Sequence, residues 1–128
     1  MSNQSFPSKE HLKSRKAIQS LFSDSSSLYK YPIKIVWKAQ LNQEIISNQA
    51  AFTVPKRLFK RAVDRNLIKR RMREAYRLNK ELIHDVEQPL PIIYFMFIYT
   101  GKEILDYSII ESSIKTQLDR LRKELEAK

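Results

Sequence analysis

Ile33, Ile35 and Trp37 alternate with Lys34, Val36 and Lys38, a period of two that predicts a half-buried strand. Trp37 has opposite parity to Lys34 and Val36 and is therefore assigned to the core. Upstream, Leu12, Ile18, Leu21 and Phe22 recur at mostly helical spacing through Lys9–Phe22. The serine-rich "SDSSS" at Ser23–Ser27 then stops the pattern, which predicts a short first helix and a loop. The polar "LNQE" reads as a turn, and a second strand follows over Ile45–Val54, weak at "SNQ" and ended by Pro55. The segment "PLPIIYFMFIY" carries β-branched and aromatic residues on both parities, as expected of a strand covered on both faces at the centre of a sheet. After Gly101, Ser108 and Glu111 have the spacing of a capping box, and Ile110, Ile114, Leu118, Leu121 and Leu125 keep helical spacing to the C-terminus.

This mixed order shows no internal repeat and no linker, so residues 1–128 are expected to form one α+β domain. Composition narrows the function. With 42% hydrophobic residues a folded core is expected despite a net charge of +10. The lack of cysteine removes disulfides, thiolate metal sites and cysteine nucleophiles. A single glycine, Gly101, excludes the glycine-spaced loops that bind nucleotide phosphates. Met1–Lys16 lacks an apolar signal core, and the apolar run Leu90–Tyr99 is about half of the ~20 residues a spanning helix needs. A soluble cytoplasmic protein with a polyanionic partner is the expectation, nucleic acid ahead of anionic membrane.

The charge is local. Lys56 to Lys80 holds eleven Lys or Arg against Asp64 and Glu74, nearly the whole net charge. At about 100° per residue, Arg65, Asn66, Lys69, Arg70, Arg73, Arg77 and Lys80 fall on one helical face. Leu67, Ile68, Met72, Ala75, Leu78 and Leu82 fall on the opposite arc, with Tyr76 at its margin. Solvated helices interleave opposite charges at i and i+4, each pair contributing roughly 0.2–0.5 kcal/mol, and like pairs cost as much. Arg65, Lys69, Arg73 and Arg77 instead form a like-charge ladder, which favours binding over simple solvation. Arg71 sits on the apolar arc, where it either snorkels outward or meets an acidic partner.

Arg65-Asn66-x-x-Lys69-Arg70-x-x-Arg73-Glu74 resembles the "RNR" signature of the bacterial ribonuclease P protein subunit. The flanks agree: Val54-Pro55-Lys56-Arg57 matches a Val-x-Lys-Lys-like stretch, Ala62 and Val63 an Ala-Val pair, and a hydrophobic strand and terminal helix follow. The match covers about Phe6 to Glu124. The resemblance implies a two-layer α/β sandwich of order αβββαβα with a left-handed βαβ crossover. It implies further that a partner catalytic RNA, with bound magnesium, removes the 5′ leader of precursor tRNA while the protein binds both RNAs. Lys56, Arg57, Arg61, Arg65, Asn66, Lys69, Arg70, Arg73 and Arg77 are then the RNA-binding candidates. Asn66, Lys69 and Arg73, with Ile18, Phe22 and Val36, would line a leader cleft between the first helix and the sheet. Ile18 and Val36 stand where other members often carry Phe and Tyr; for these two and for Phe22, ordinary core packing explains the residues at least as well. The family glycine before the Ala-Val pair is missing and "RLFKR" is one residue longer, so the loop near Phe59 should differ in shape.

Unaided nuclease chemistry is not expected. His11 and His84 are far apart in sequence and lie in no acidic or nucleophilic motif, and Ser25, Ser26 and Ser27 have no accompanying base. No metal ligand set and no bound cofactor is read from the chain; magnesium is expected through the RNA. A basic ribosomal RNA-binding or assembly protein is the alternative. A DNA-binding helix-turn-helix lacks its partner helix, because Pro55 and strand-like residues precede the basic segment. Membrane binding lacks an interfacial tryptophan, and no obligate protein partner is evident.

Overall fold

The computed structural model describes residues 6, 11–12, 25–40, 48–83 and 92–126. Among these the order is β1 (Ser26–Lys30), β2 (Ile33–Gln40), β3 (Gln49–Thr53), α1 (Ala62–Asn79), a 3-10 turn (Lys80–Ile83), β4 (Ile92–Tyr99) and α2 (Tyr107–Glu126). The four strands form one sheet in the order β1-β2-β4-β3. β1–β2 and β2–β4 are antiparallel, whereas β3–β4 is parallel. A parallel pair needs a crossover connection, and α1 makes it.

The alternation in β2 sorts its residues as expected. Ile33 and Ile35 are fully buried and Trp37 is 2% exposed, while Lys34 is exposed. β4 lies between two neighbours, and both of its faces are covered. Phe95, Phe97 and Tyr99 join the main core under the helices, and Tyr94 and Met96 join a second cluster with Leu12 and Val36. Helices therefore cover one face of the sheet, giving the α+β sandwich. From α2, Ile110, Ile114, Leu118, Leu121 and Leu125 all enter the main core. Two buried polar groups of the same helix tie it to the sheet: Ser113 Oγ donates to the Lys30 carbonyl and Gln117 Nε2 to the Ile33 carbonyl at 2.9 Å.

Several expectations need correction. Ser26 and Ser27, read as loop, belong to β1. This is an edge strand in which Leu28 alone is half-buried and packs on the core, so it offers too little apolar alternation to be seen. It supplies the third strand before α1 that the family resemblance implied. The second strand is shorter than Ile45–Val54, running over Gln49–Thr53; its proposed start and the "LNQE" turn lie outside the described residues. Most of the proposed first helix, including Ile18 and Phe22, also lies outside them. His11 and Leu12, at its start, are not helical: His11 bridges Ala50, and the Leu12 N–H donates to the Ala50 carbonyl at 2.9 Å. The capping box is displaced as well, since α2 begins at Tyr107 and the Asp106 carbonyl takes the first helical N–H groups, from Ile109 and Ile110. Ser108 is inside the first turn, and Glu111 turns toward α1.

Gly101 closes β4. A Cβ there would meet the Tyr99 ring at 3.1 Å. Tyr99 cannot give way easily, being fully buried with its hydroxyl donating to the Glu103 carbonyl at 2.7 Å and accepting from the Leu105 N–H at 3.2 Å. Gly101→Ala is therefore expected to destabilise the fold by about 1–3 kcal/mol, the usual cost of overpacking, read as a lower denaturation midpoint at unchanged m-value.

Candidate nucleic-acid interface

The basic helix is aimed by a short turn and a buried stripe. Leu58 and Phe59 N–H groups bond back to the Pro55 carbonyl, and those of Asp64 and Arg65 to the Arg61 carbonyl. Arg61 has no side-chain cap bond, but Asp64 stands in the first turn, where its negative charge suits the helix N-terminus. Ile68, Met72, Ala75 and Tyr76 are the buried residues of α1. Tyr76, placed at the margin by angle, is central: it is 1% exposed, and its ring lies 5.4–6.0 Å from those of Phe6, Phe52, Phe95 and Phe97. Leu78, expected on the packed arc, is 36% exposed.

This rotation of the packed stripe toward Tyr76 changes what each cation can do. Arg65 falls at the edge of the stripe and turns back on the preceding loop, its Nη1 donating to the Phe59 and Lys60 carbonyls at 2.8 Å each. Arg77 is bound by Glu74, with Nε to Oε2 at 3.1 Å and Nη2 to Oε1 at 2.5 Å. That hydrogen bond, with the attraction of the guanidinium, holds the Glu74 carboxyl below its usual pKa. The like-charge ladder is thus relieved at both ends. Lys80 leaves the cationic face altogether, because α1 stops at Asn79 and the 3-10 turn buries it to 5% exposure. Arg71 takes neither of the routes considered from sequence; its Nη1 donates to the Leu105 carbonyl at 2.6 Å and ties α1 to the loop before α2.

What is left lies on α1 and on the loop that leads into it. Asn66, Arg70 and Arg73 are exposed on α1 and Lys69 is half-exposed, while Lys56, Arg57, Lys60 and Arg61 are exposed on the loop before it. Among the described residues only Arg61 of these approaches a carboxylate, Asp64 at 4.0 Å, with its own side chain 77% exposed. Lys60 was not singled out from sequence; its place in the loop that Arg65 pins is the signal that adds it. Val36, expected in the leader cleft, lies on the sheet face away from α1 and α2 at 7% exposure, packed with Leu12, Tyr94 and Met96. The third letter of the signature is Leu67 here, half-buried.

α2 provides an internal contrast. Its outer surface interleaves charge, Arg122 with Glu126 at 2.9 Å and Lys123 with Asp119 at 3.3 Å, the ordinary arrangement of a solvated helix. The two helices meet where Glu111 accepts from Asn79 Nδ2 at 3.2 Å and from the Tyr107 hydroxyl at 3.1 Å. Burial and this hydrogen bond to Glu111 push the Tyr107 hydroxyl up to about 12, so it stays protonated and keeps donating. The C-terminal end of α1 is thereby fixed.

The model of the ribonuclease P family matches residues 6–125. The chain belongs to the ribonuclease P protein family. It is 33% identical over 113 residues to the ribonuclease P protein component of Porphyromonas gingivalis strain W83, covering 88% of this chain and 82% of that protein. Against the ribonuclease P protein component of a Geobacter species, strain M21, it is 31% identical over 126 residues, covering 97% and 98%. Solved structures share the fold. The Staphylococcus aureus RNase P protein superposes with a TM-score of 0.69 at 20% identity, covering 91% of this chain and 97% of that one. The Thermotoga maritima protein gives 0.70 at 21%, covering 87% and 96%.

Within this family fold, Arg65 holds the loop and Arg73 faces solvent. Arg65→Ala should lower the unfolding free energy by about 1–2 kcal/mol through its two lost carbonyl bonds, whereas Arg73→Ala should change it by less than about 0.5 kcal/mol. Urea denaturation of the two variants separates the roles.

Proposed function

We propose that the exposed cations of α1 and of the loop before it bind the ribonuclease P RNA and the 5′ leader of precursor tRNA. In this role the protein assists an RNA-catalysed, magnesium-dependent endonucleolytic cleavage that removes the leader in the cytoplasm. The observation that carries the reading is the cationic surface itself: Lys69, Arg70 and Arg73 share one helical face, and Lys56, Arg57 and Lys60 stand exposed on the loop before it, all without a carboxylate partner among the described residues, on a helix held rigidly from behind. Family membership supports the RNA partner. A ribosomal RNA-binding or assembly role would use the same face, but the named relatives favour the first reading.

The protein's part is electrostatic and positional. Arg and Lys neutralise phosphates, and Asn66, able to donate and accept, suits a backbone or 2′-hydroxyl contact. Two RNAs brought together repel, and fixed cations between them do part of the work otherwise done by magnesium. Magnesium, in this reading, acts on the RNA, as the family resemblance implies. Among the described residues no helix is long and apolar enough to cross a membrane.

Six or seven neutralised phosphates at ~0.7 each should give a log–log slope of RNA affinity against salt of about −4 to −5; a slope near zero would leave the cationic face without a ligand. Adding the protein to its cognate catalytic RNA should lower the magnesium needed for leader removal, and an unchanged requirement would contradict the proposal. Lys69→Ala and Arg73→Ala should weaken precursor binding more than mature tRNA binding, and equal losses would move these residues from the leader to the catalytic RNA.

A further inference from the structure

The side of the sheet away from α1 and α2 is ordered by strand pairing. Tyr29 of β1 pairs with Lys34 of β2, Lys34 with Ile98 of β4, and Ile98 with Thr53 of β3. Paired residues point to the same face, so these four side chains form one row across all four strands. The row spans about 14 Å at ~4.8 Å per strand. Its β3 end lies just before the turn that carries Lys56 and Arg57, at the basic loop.

Three properties fit this row to a single nucleic-acid strand. First, Lys34 is exposed, and the described positions of this face include no Asp or Glu. Second, the row is continuous with the cations proposed to bind RNA, so a strand leaving them crosses it without meeting a carboxylate among the described residues of this face. Third, it ends on an aromatic ring with a free surface: Tyr29 is 55% exposed. A lone surface tyrosine needs no explanation, and Tyr31, 54% exposed in the hairpin turn, is one. Tyr29 differs because it stands opposite a lysine. Side chains of a directly opposed pair are about 5 Å apart, so one nucleotide could stack its base on the ring and bring its phosphate to the ammonium. Val36, in the next pair on this face, is closed to a base by Leu12, Tyr94 and Met96.

We propose that Tyr29, with Lys34 beside it, is the stacking platform for a base of the precursor's single-stranded 5′ leader, on the edge strand of the sheet. This rests on the leader-binding role proposed above. The platform accepts any base, since stacking uses the π-face alone. Its contribution is to leader affinity and reach, not to chemistry.

The test uses the full chain reconstituted with its cognate catalytic RNA, and precursor tRNAs whose leaders are lengthened one nucleotide at a time, with mature tRNA as reference. Tyr29→Ala should weaken precursor binding about tenfold once the leader reaches the platform and leave the shortest leaders and mature tRNA unchanged. Tyr29→Phe, which keeps the ring, should bind as the parent does. Lys34→Gln should reduce the salt slope by about 0.7 for the long leaders only. The exposed position of Tyr29 predicts unaltered thermal unfolding for both tyrosine variants. No loss in Tyr29→Ala, or an equal loss with mature tRNA, overturns the assignment. Lys69→Ala and Arg73→Ala run alongside separate the two failures: if they discriminate against leaders while Tyr29→Ala does not, only the platform is wrong, and if none discriminates, leader binding itself is.

Discussion

The structure depends on the burial of one stripe of α1 against an aromatic core. The run of i,i+4 like charges from Arg65 to Arg77 costs about 1 kcal/mol in sum. Burial of side chains such as Ile68 and Met72 contributes roughly 1.5–3 kcal/mol each, and Tyr76 adds its ring contacts with Phe52, Phe95 and Phe97. Packing wins by a clear margin. A helix that would be marginal in isolation can therefore hold its cations in a fixed array, without neutralising them all internally.

The internal bonds of α1 serve the same end. Arg65 holds the loop that presents Lys56, Arg57 and Lys60, Arg71 ties the helix flank to the β4–α2 connection, and Asn79 with Glu111 fixes its last turn. Basic residues at the edges of the face thus act on the scaffold, while those in its middle stay open to a ligand. α2, with its charges paired along the helix, shows what the same fold does with a surface that only meets water.

Much of this was legible in the sequence. β2, β4 and α2 were readable because each is covered on known sides and so carries a clear period of two, an unbroken apolar run or a 3.6-residue stripe. The like-charge ladder located the candidate face because a solvated helix would not retain it. β1 was not legible from its pattern, since an edge strand with one inward half-buried residue resembles a serine-rich loop. The angular reading of α1 left Tyr76 at the margin and put Leu78 on the packed arc: hydrophobic content marked Leu78, whereas the aromatic partners that draw Tyr76 inward lie far away in the chain. Lys80 failed for a local reason, the change from α to 3-10 winding after Asn79. The roles of Arg65 and Arg71 depend on backbone carbonyls at Phe59, Lys60 and Leu105, which no residue pattern announces.

The central claim is that the cationic face of α1 lies against RNA and the outer surface of α2 does not. The chain has no cysteine, so a single introduced thiol can carry a tethered RNA-cleaving reagent at one defined place. With the reagent at Asn66→Cys on α1 or at Lys123→Cys on α2, and the protein bound to its catalytic RNA and a precursor tRNA, the account predicts discrete cuts in the catalytic RNA and the leader from position 66 and none from position 123. Equal cutting from both positions, or none from position 66, would contradict it.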